Sequence, residues 1–584
     1  MNFRESLTRK NIFIASSVFL VGLVVAGFFV LRRPARVAME RYVSADALAF
    51  VEVDSLSDVI DGLTSTKAWR ELAPVLGLSS QLKQVGFVAD LIGRSGLGPD
   101  EAVIAGRAQY AVAITGIESK AGETDEGAYL HLKPDFALIV ETHMKPETAA
   151  RLVRERASII AQRIYGESVA ETSEDYRGSQ VLVFQGPEAA RQMLASSFGS
   201  VVLIANQPDA IKRCLDAVAG RAATLADDAT LKQMRPEVDR NASVFGYVTK
   251  SGIQKVAELS PVLIANRASS AESLSLFVDL IEHLSNQAGA GLLYSSAFET
   301  GGVTEKYLTV LRPQVAEALS GPLKAASAAG FESPALIPCA VESVTFLNVE
   351  RAGELPERVL KQLSPTVDIV AGVALREFVI DFRKQYGLGP SDSVGDAAGS
   401  EIALINFGDE KPRAMLIRVN DRARLTTAVS KYLARNAAPV SREQVNGIDV
   451  LVSSDDERRA AAFVGDFLAL GTRDQISKII DTQASRDGLD GDERFKRVLA
   501  SRPENASILW YRPRVGDAGR LLLAISKLTR VTDGSPELLE RDSARNALGQ
   551  LAPSTGFTEF RSRGIYTESH SAVGSFSVIA ALME

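Results

Sequence analysis

The 584-residue chain carries 65 Lys and Arg against 72 Asp and Glu, a formal net charge of −7, with 46% hydrophobic and 23% charged residues. That length exceeds the ~100–150 residues of one ordinary domain and predicts at least two cores. Its basic residues are scattered among acidic ones, which argues against a nucleic-acid partner, and the two cysteines, Cys214 and Cys339, rule out a disulfide framework or a thiolate metal site.

From the N-terminus, residues 1–10 form a short tail, and Asn11 to Leu31 (NIFIASSVFLVGLVVAGFFVL) contains no charge. At ~1.5 Å per residue this stretch spans a ~30 Å hydrocarbon core, which predicts a single-pass transmembrane helix. It is longer than the ~7–15 residue apolar region of a cleaved signal and lacks a small-x-small cleavage site after it, so an anchor is expected. Arg4, Arg9 and Lys10 balance Arg32, Arg33, Arg36 and Arg41. The short tail then favours an exported ectodomain on the bacterial cytoplasmic (inner) membrane. Gly22 and Ala26 form a small-xxx-small pair of the kind common in lipid-facing helices.

After a linker, 32–42, the sequence repeats itself. Ala47-Leu-Ala-Phe-Val-Glu-Val-Asp54 resembles Ser343-Val-Thr-Phe-Leu-Asn-Val-Glu350, with Phe50 over Phe346. Gly96-Leu-Gly-Pro-Asp-Glu101 matches Gly387-Leu-Gly-Pro-Ser-Asp392, and Lys133-Pro-Asp-Phe-Ala-Leu-Ile-Val140 matches Lys411-Pro-Arg-Ala-Met-Leu-Ile-Arg418. Tyr176 to Val183, Phe198 to Ala205 and Ser243 to Tyr247 find counterparts in Val445 to Val452, Val464 to Gly471 and Ser507 to Tyr511, and Gly302 to Glu305 lies over the region of Gly564 to Glu568. Period-two strands alternate with amphipathic helices and meet through glycine turns at Gly178 and Gly447, which argues for antiparallel hairpins. The expected fold class is therefore α+β: a transmembrane helix, then two diverged copies of an antiparallel sheet with helices on one face. The copies span 43–311 and 338–584 and are joined by a connection at 312–337.

The opening strand Ser44-Ala-Asp-Ala-Leu-Ala-Phe50 precedes a recurring cassette. It runs as a strand such as Val201-Val-Leu-Ile-Ala205, a helix, an acidic turn (Leu225-Ala-Asp-Asp228 or Leu489-Asp-Gly-Asp492), a helix with Leu231 or Phe495, and a strand ending at Tyr247 or Tyr511. On these residues the chain resembles the bacterial membrane-anchored domain-of-unknown-function family 3352 over most of 43–584. The resemblance implies a shared fold and brings no catalytic residues, because the matching positions are apolar strand and turn residues.

The four histidines, His131, His143, His283 and His570, show no metal-ligand spacing, and the chain has no G-x-S-x-G, H-E-x-x-H or Walker motif. Gly93-Arg-Ser-Gly-Leu-Gly98 reads as a structural turn, lacking the lysine of a phosphate loop. The carboxylates of Asp487 to Glu493 miss the calcium-loop spacing and read as helix caps, as do Asp227 and Asp228. Trp69, Trp510, Tyr247 and Tyr511 sit in periodic apolar settings and read as core with a satisfied polar tip. No catalytic, cofactor or metal residue is expected. The leading functional expectation is a non-catalytic envelope module that binds or assembles other proteins, in contact with the membrane through 11–31. The alternatives are a carrier or sensor of a lipid-like apolar ligand and an unrecognised hydrolase.

Overall fold

The computed structural model describes residues 35–76, 104–124, 127–187, 191–238, 242–265, 285, 289–326, 330–385, 395–408, 413–434, 439–454, 458–513, 518–519, 522–523 and 537–575. Half one contributes β1 (Ala49–Val53), β2 (Gln109–Thr124), β3 (Gly127–Glu141), β4 (Ala170–Tyr176), β5 (Ser179–Gln185), β6 (Gln192–Phe198), β7 (Val201–Ala205), β8 (Val244–Thr249), β9 (Gly289–Glu299) and β10 (Gly302–Leu311). Half two contributes β11 (Ser343–Asn348), β12 (Ala398–Asn406), β13 (Ala414–Val419), β14 (Val440–Val445), β15 (Ile448–Ser453), β16 (Arg459–Val464), β17 (Phe467–Thr472), β18 (Ile508–Arg512), β19 (Ser554–Arg561) and β20 (Gly564–Ser571).

These strands form one 20-stranded sheet in which every pairing is antiparallel. Followed across the ladders, half one runs β4-β5-β6-β7-β3-β2-β1-β8-β9-β10. Beyond β10 lies β20, and half two continues as β20-β19-β18-β11-β12-β13-β17-β16-β15-β14. The second list is the first in reverse, strand for strand, so a pseudo-two-fold axis passes between β10 and β20. Gly302 and Gly564 open the two central strands at matching positions, with φ of +150° and +149°. Each lies so close to a carbonyl of the other half, Ser571 O for Gly302 and Thr309 O for Gly564, that a Cβ could not fit. Counting from these glycines, Lys306 corresponds to Glu568, and the two lie directly opposite each other. The axis therefore places a cation against an anion.

The expected fold class needs three corrections. The halves do not hold separate sheets, because β10 pairs with β20 over the whole central ladder from Val303/Ser571 to Val310/Gly564. Helices cover both faces rather than one: Val181 and Leu194 point into one core, while their neighbours Leu182 and Ala195 point into another beneath Pro146–Tyr165. The expected membrane-spanning helix is not found, since no helix among the described residues is long and apolar enough to cross a membrane, and segment 11–31 lies outside those residues. The membrane, single-pass and transmembrane assignments therefore have no spanning helix behind them among the described residues.

Two principal cores lie at matching places, one around Phe50, Ile139, Leu203, Ile211 and Tyr247, the other around Phe346, Leu416, Ala469, Ile476 and Tyr511. The halves also interlock, as Ala68 and Leu72 of half one pack with Ala518, Leu538, Ala544 and Val573 of half two. Met39 and Tyr42, in the stretch read as linker, are buried. Val315 and Ala316, in the stretch read as connection, pack against Leu363 and Ala374. The sheet ends at β4, which presents Glu171, Glu174 and Asp175, and at β14, which presents Arg442 and Glu443; charges on exposed edges discourage further strand pairing.

Candidate functional site

Ladder partners fix which residues of the halves are equivalent. Phe50 lies opposite Tyr247 and Ala113, whereas Val344 lies opposite Tyr511 and Ile405, so Phe50 answers to Val344. Glu52 lies opposite Phe245 and Ala111, and Phe346 opposite Leu509 and Ala403. Phe346 is thus the counterpart of Glu52, two positions from the Phe-over-Phe match that the sequence suggests. A two-residue shift keeps every side chain on its own face, so the hydrophobic pattern conceals it.

Glu52 is 4% exposed. Its Oε1 accepts a short hydrogen bond from Arg235 Nη2, and Arg235 Nη1 donates to Glu40 Oε2 at 3.0 Å. The Arg235 guanidinium lies 4.3 Å over the Phe245 ring. Glu52 Oε2 has no hydrogen-bond partner among the described residues. Burial pushes the Glu52 carboxyl up to about 8, against the opposing pull of Arg235. The helix Ala229–Val238 brings Arg235 here because Asp228 Oδ1 accepts from Leu231 N at its start, and the turn Met39–Tyr42 supplies Glu40.

A cleft of about 400 Å³ opens over this cluster, lined by Glu40, Leu225, Ala226, Leu231, Lys232, Arg235 and Pro236. Lys232 is largely exposed and stands 3.7 Å from the exposed Asp227.

At the three equivalent positions half two carries no charge, although Glu401 is buried against the Ser333 turn and Arg502 lies 5.0 Å over the Phe331 ring. Bridges Ser44/Thr224 and Pro338/Gly488 align the turns Met39–Tyr42 and Ser333–Leu336, placing Pro334 where half one has Glu40. The capping aspartates Asp228 and Asp492 align the following helices, placing Phe495 at Leu231 and Leu499 at Arg235. Phe331 stacks on Phe346 at 4.9 Å, Phe346 on Phe495 at 5.7 Å, and Phe495 meets Tyr511 edge-on at 5.0 Å. Aromatic packing fills the volume in half two that ions occupy in half one.

A second polar network crosses the pseudo-two-fold axis. Thr304 Oγ1 donates to Glu299 Oε1 at 2.9 Å and lies 3.0 Å from His570 Nδ1, while His570 Nε2 lies 3.0 Å from Glu568 Oε1. Tyr566 donates to Glu568 Oε2 at 2.7 Å. The His570 hydrogen bond, reinforced by those of its neighbours, brings the Glu568 carboxyl down to about 2. A hydroxyl, an imidazole and a carboxylate in line suggest a nucleophile triad, but proton counting argues otherwise. The single Thr304 proton goes to Glu299 Oε1 and is directed away from the imidazole. The row is a hydrogen-bonded latch across the axis, without the nucleophile-to-base hydrogen bond that a triad needs.

The other residues singled out in the sequence fall elsewhere. His131 is exposed on β3, and His143 Nδ1 stands 3.9 Å from Glu141 Oε1; His283 and Gly93 to Gly98 lie outside the described residues. Asp492 accepts from Arg494 N and caps the helix Glu493–Ala500. Tyr247 donates to Asp228 at 3.3 Å, whereas the Tyr511 hydroxyl has no partner among the described residues. Cys214 is buried in the half-one core and Cys339 is half-buried beside Gly488 O. Among the described residues no cluster of three His, Cys, Asp or Glu side chains is placed to hold a metal ion. A smaller apolar cavity of about 150 Å³ lies under Pro146–Tyr165, lined in part by Tyr110, Val140, Leu152 and Ile204. In comparisons with protein-family models, curated proteins and solved structures, nothing matches this chain.

Sequence reasoning missed the Glu40, Glu52 and Arg235 cluster. The Val-Glu-Val alternation of β1 reads as a solvated Glu52, and nothing local to residue 52 announces a partner at residue 235.

Proposed function

We propose that the chain is a non-catalytic binding module whose ligand site is the half-one cleft, with half two serving as its packed structural counterpart. The supporting observation is the exchange of Glu40, Glu52 and Arg235 for Pro334, Phe346 and Leu499 at equivalent positions. Replacing a buried ion cluster by apolar side chains is often neutral or stabilising by ~1–4 kcal/mol, so packing alone gives half one no reason to keep it. Half two shows that the same framework accepts the apolar set. The cluster instead holds Arg235 at the wall of an open cleft.

The carrier reading has less support, since the apolar cavity of about 150 Å³ falls below the roughly 300–1,000 Å³ usual for ligand sites. The hydrolase reading is weakened by the latch arrangement at His570.

A thermal-shift screen of the full chain and of E52F/R235L against a chemically mixed panel of small molecules tests the proposal. Ligands that stabilise the parent chain and not the variant are expected. A panel that stabilises both chains equally counts against the cleft as the site.

A further inference from the structure

We infer that the apolar cavity beneath Pro146–Tyr165 is a site for one uncharged apolar molecule of about six to eight carbons. It lies on the opposite face of the sheet from the cleft and is independent of it. An apolar cavity of ~150 Å³ stays dry and accepts a guest the size of benzene. This cavity measures about 150 Å³, too small for a lipid and sufficient for such a guest. Val153, Ala157, Ala195 and Val202 form its buried floor, and Tyr110, Leu152, Ile160 and Ile204 line it half-buried. Its two hydroxyls are committed to the protein, Tyr110 donating to Ala105 O at 2.7 Å and Thr142 to Ser200 O at 2.6 Å. Arg156, the one charged residue of the lining, already has an interaction of its own. Such a lining suits a guest that asks for no hydrogen bond.

Half two shows that the fold does not require this space. Phe198/Val201 and Val464/Phe467 close equivalent hairpins, so Val202 answers to Leu468 and Ala195 to Ala461. Lys145 and Asp421 hold the N-cap positions of Pro146–Tyr165 and Arg422–Leu433, so Val153 answers to Val429 and Ala157 to Leu433. Leu433 and Leu468 are buried together in the half-two core. The half-buried rim shows the reverse, with Tyr110 and Leu152 answering to Ile402 and Ala428. Half one thus carries its bulk around the opening and leaves the floor short. An unfilled floor forfeits dispersion contacts that a guest would restore, and the equivalent frame accepts leucine at both short positions. The space is therefore a site and not a packing limit.

The test is calorimetric titration of the full chain with toluene, with phenol, benzylammonium and octanoate as contrasting probes. One toluene per chain is expected, bound about tenfold or more tighter than phenol or benzylammonium. A157L and V202L write the half-two residues into the floor. Toluene binding should weaken about tenfold or more in A157L, which adds three carbons, and about threefold in V202L, which adds one. Thermal unfolding of both variants should occur at or above the temperature of the parent chain, because each fills empty space. Absence of saturable toluene binding, indifference to both variants, or a lowered unfolding temperature in both overturns the inference. So does tighter binding of octanoate, which would assign the cavity to the end of an acyl chain.

Discussion

The two halves share strand order, caps and turns, yet solve one packing problem in opposite ways. Beneath the helix that follows Asp228, half one buries Glu52 against Arg235 and Glu40. Beneath the helix that follows Asp492, half two packs Phe331, Phe346, Phe495 and Tyr511. The difference separates what the fold requires from what it merely tolerates. An aspartate cap, a buried strand position and an apolar helix face recur; the ion cluster does not, and a feature absent from one of two equivalent frameworks is not needed to build either.

The sharpest way to break this comparison is to write half-one chemistry into half two. F346E should cost about 4 kcal/mol or more, because it removes a packed aromatic ring and buries a carboxyl without a partner. F346E/L499R should recover part of that loss if the ladder equivalence holds. Urea unfolding of both variants measures it, and equal losses would refute the pairing of positions.

The next effect is the pH dependence of stability. The folded Glu52 carboxyl is raised to about 8 from an ordinary value of 4.5, so the folded state binds the extra proton between these limits. Stability should therefore be greatest below pH ~4.5 as far as this group is concerned and decline, on the order of a few kcal/mol, as pH rises toward 8. E52Q should flatten that slope. Glu568 acts with the opposite sign: its depressed carboxyl contributes stability above pH ~4.5 that is lost as pH falls toward 2, and H570A should shrink the acid loss. Denaturation profiles between pH 3 and 9 distinguish the two.

Writing half-two chemistry into half one should do less. E52F/R235L is expected to change stability by about 1–2 kcal/mol, neutral or favourable in sign, and a large loss would mean that the ion cluster is structural. The smallest effect lies at the axis, where K306E sets Glu against Glu568 and should cost about 0.5–1 kcal/mol in urea unfolding.

Much of the architecture is legible in the residues themselves. Alternation marks Phe50 and Phe346 as inward-facing, Gly178 and Gly447 mark hairpins, and Asp228 and Asp492 mark helix starts, because these signals depend on neighbours within a few positions. The repeat is legible for the same reason, since a strand face or a cap needs the same residue types wherever it recurs. Tertiary structure alone decided the rest. That β10 joins β20 and merges two sheets into one, that Phe346 answers to Glu52 and not to Phe50, and that Arg235 meets Glu52 at a sequence separation of 183 are all settled by long-range pairing. A period-two pattern is unchanged by a shift of two, and a charge written in a strand does not reveal whether water or a distant arginine will face it.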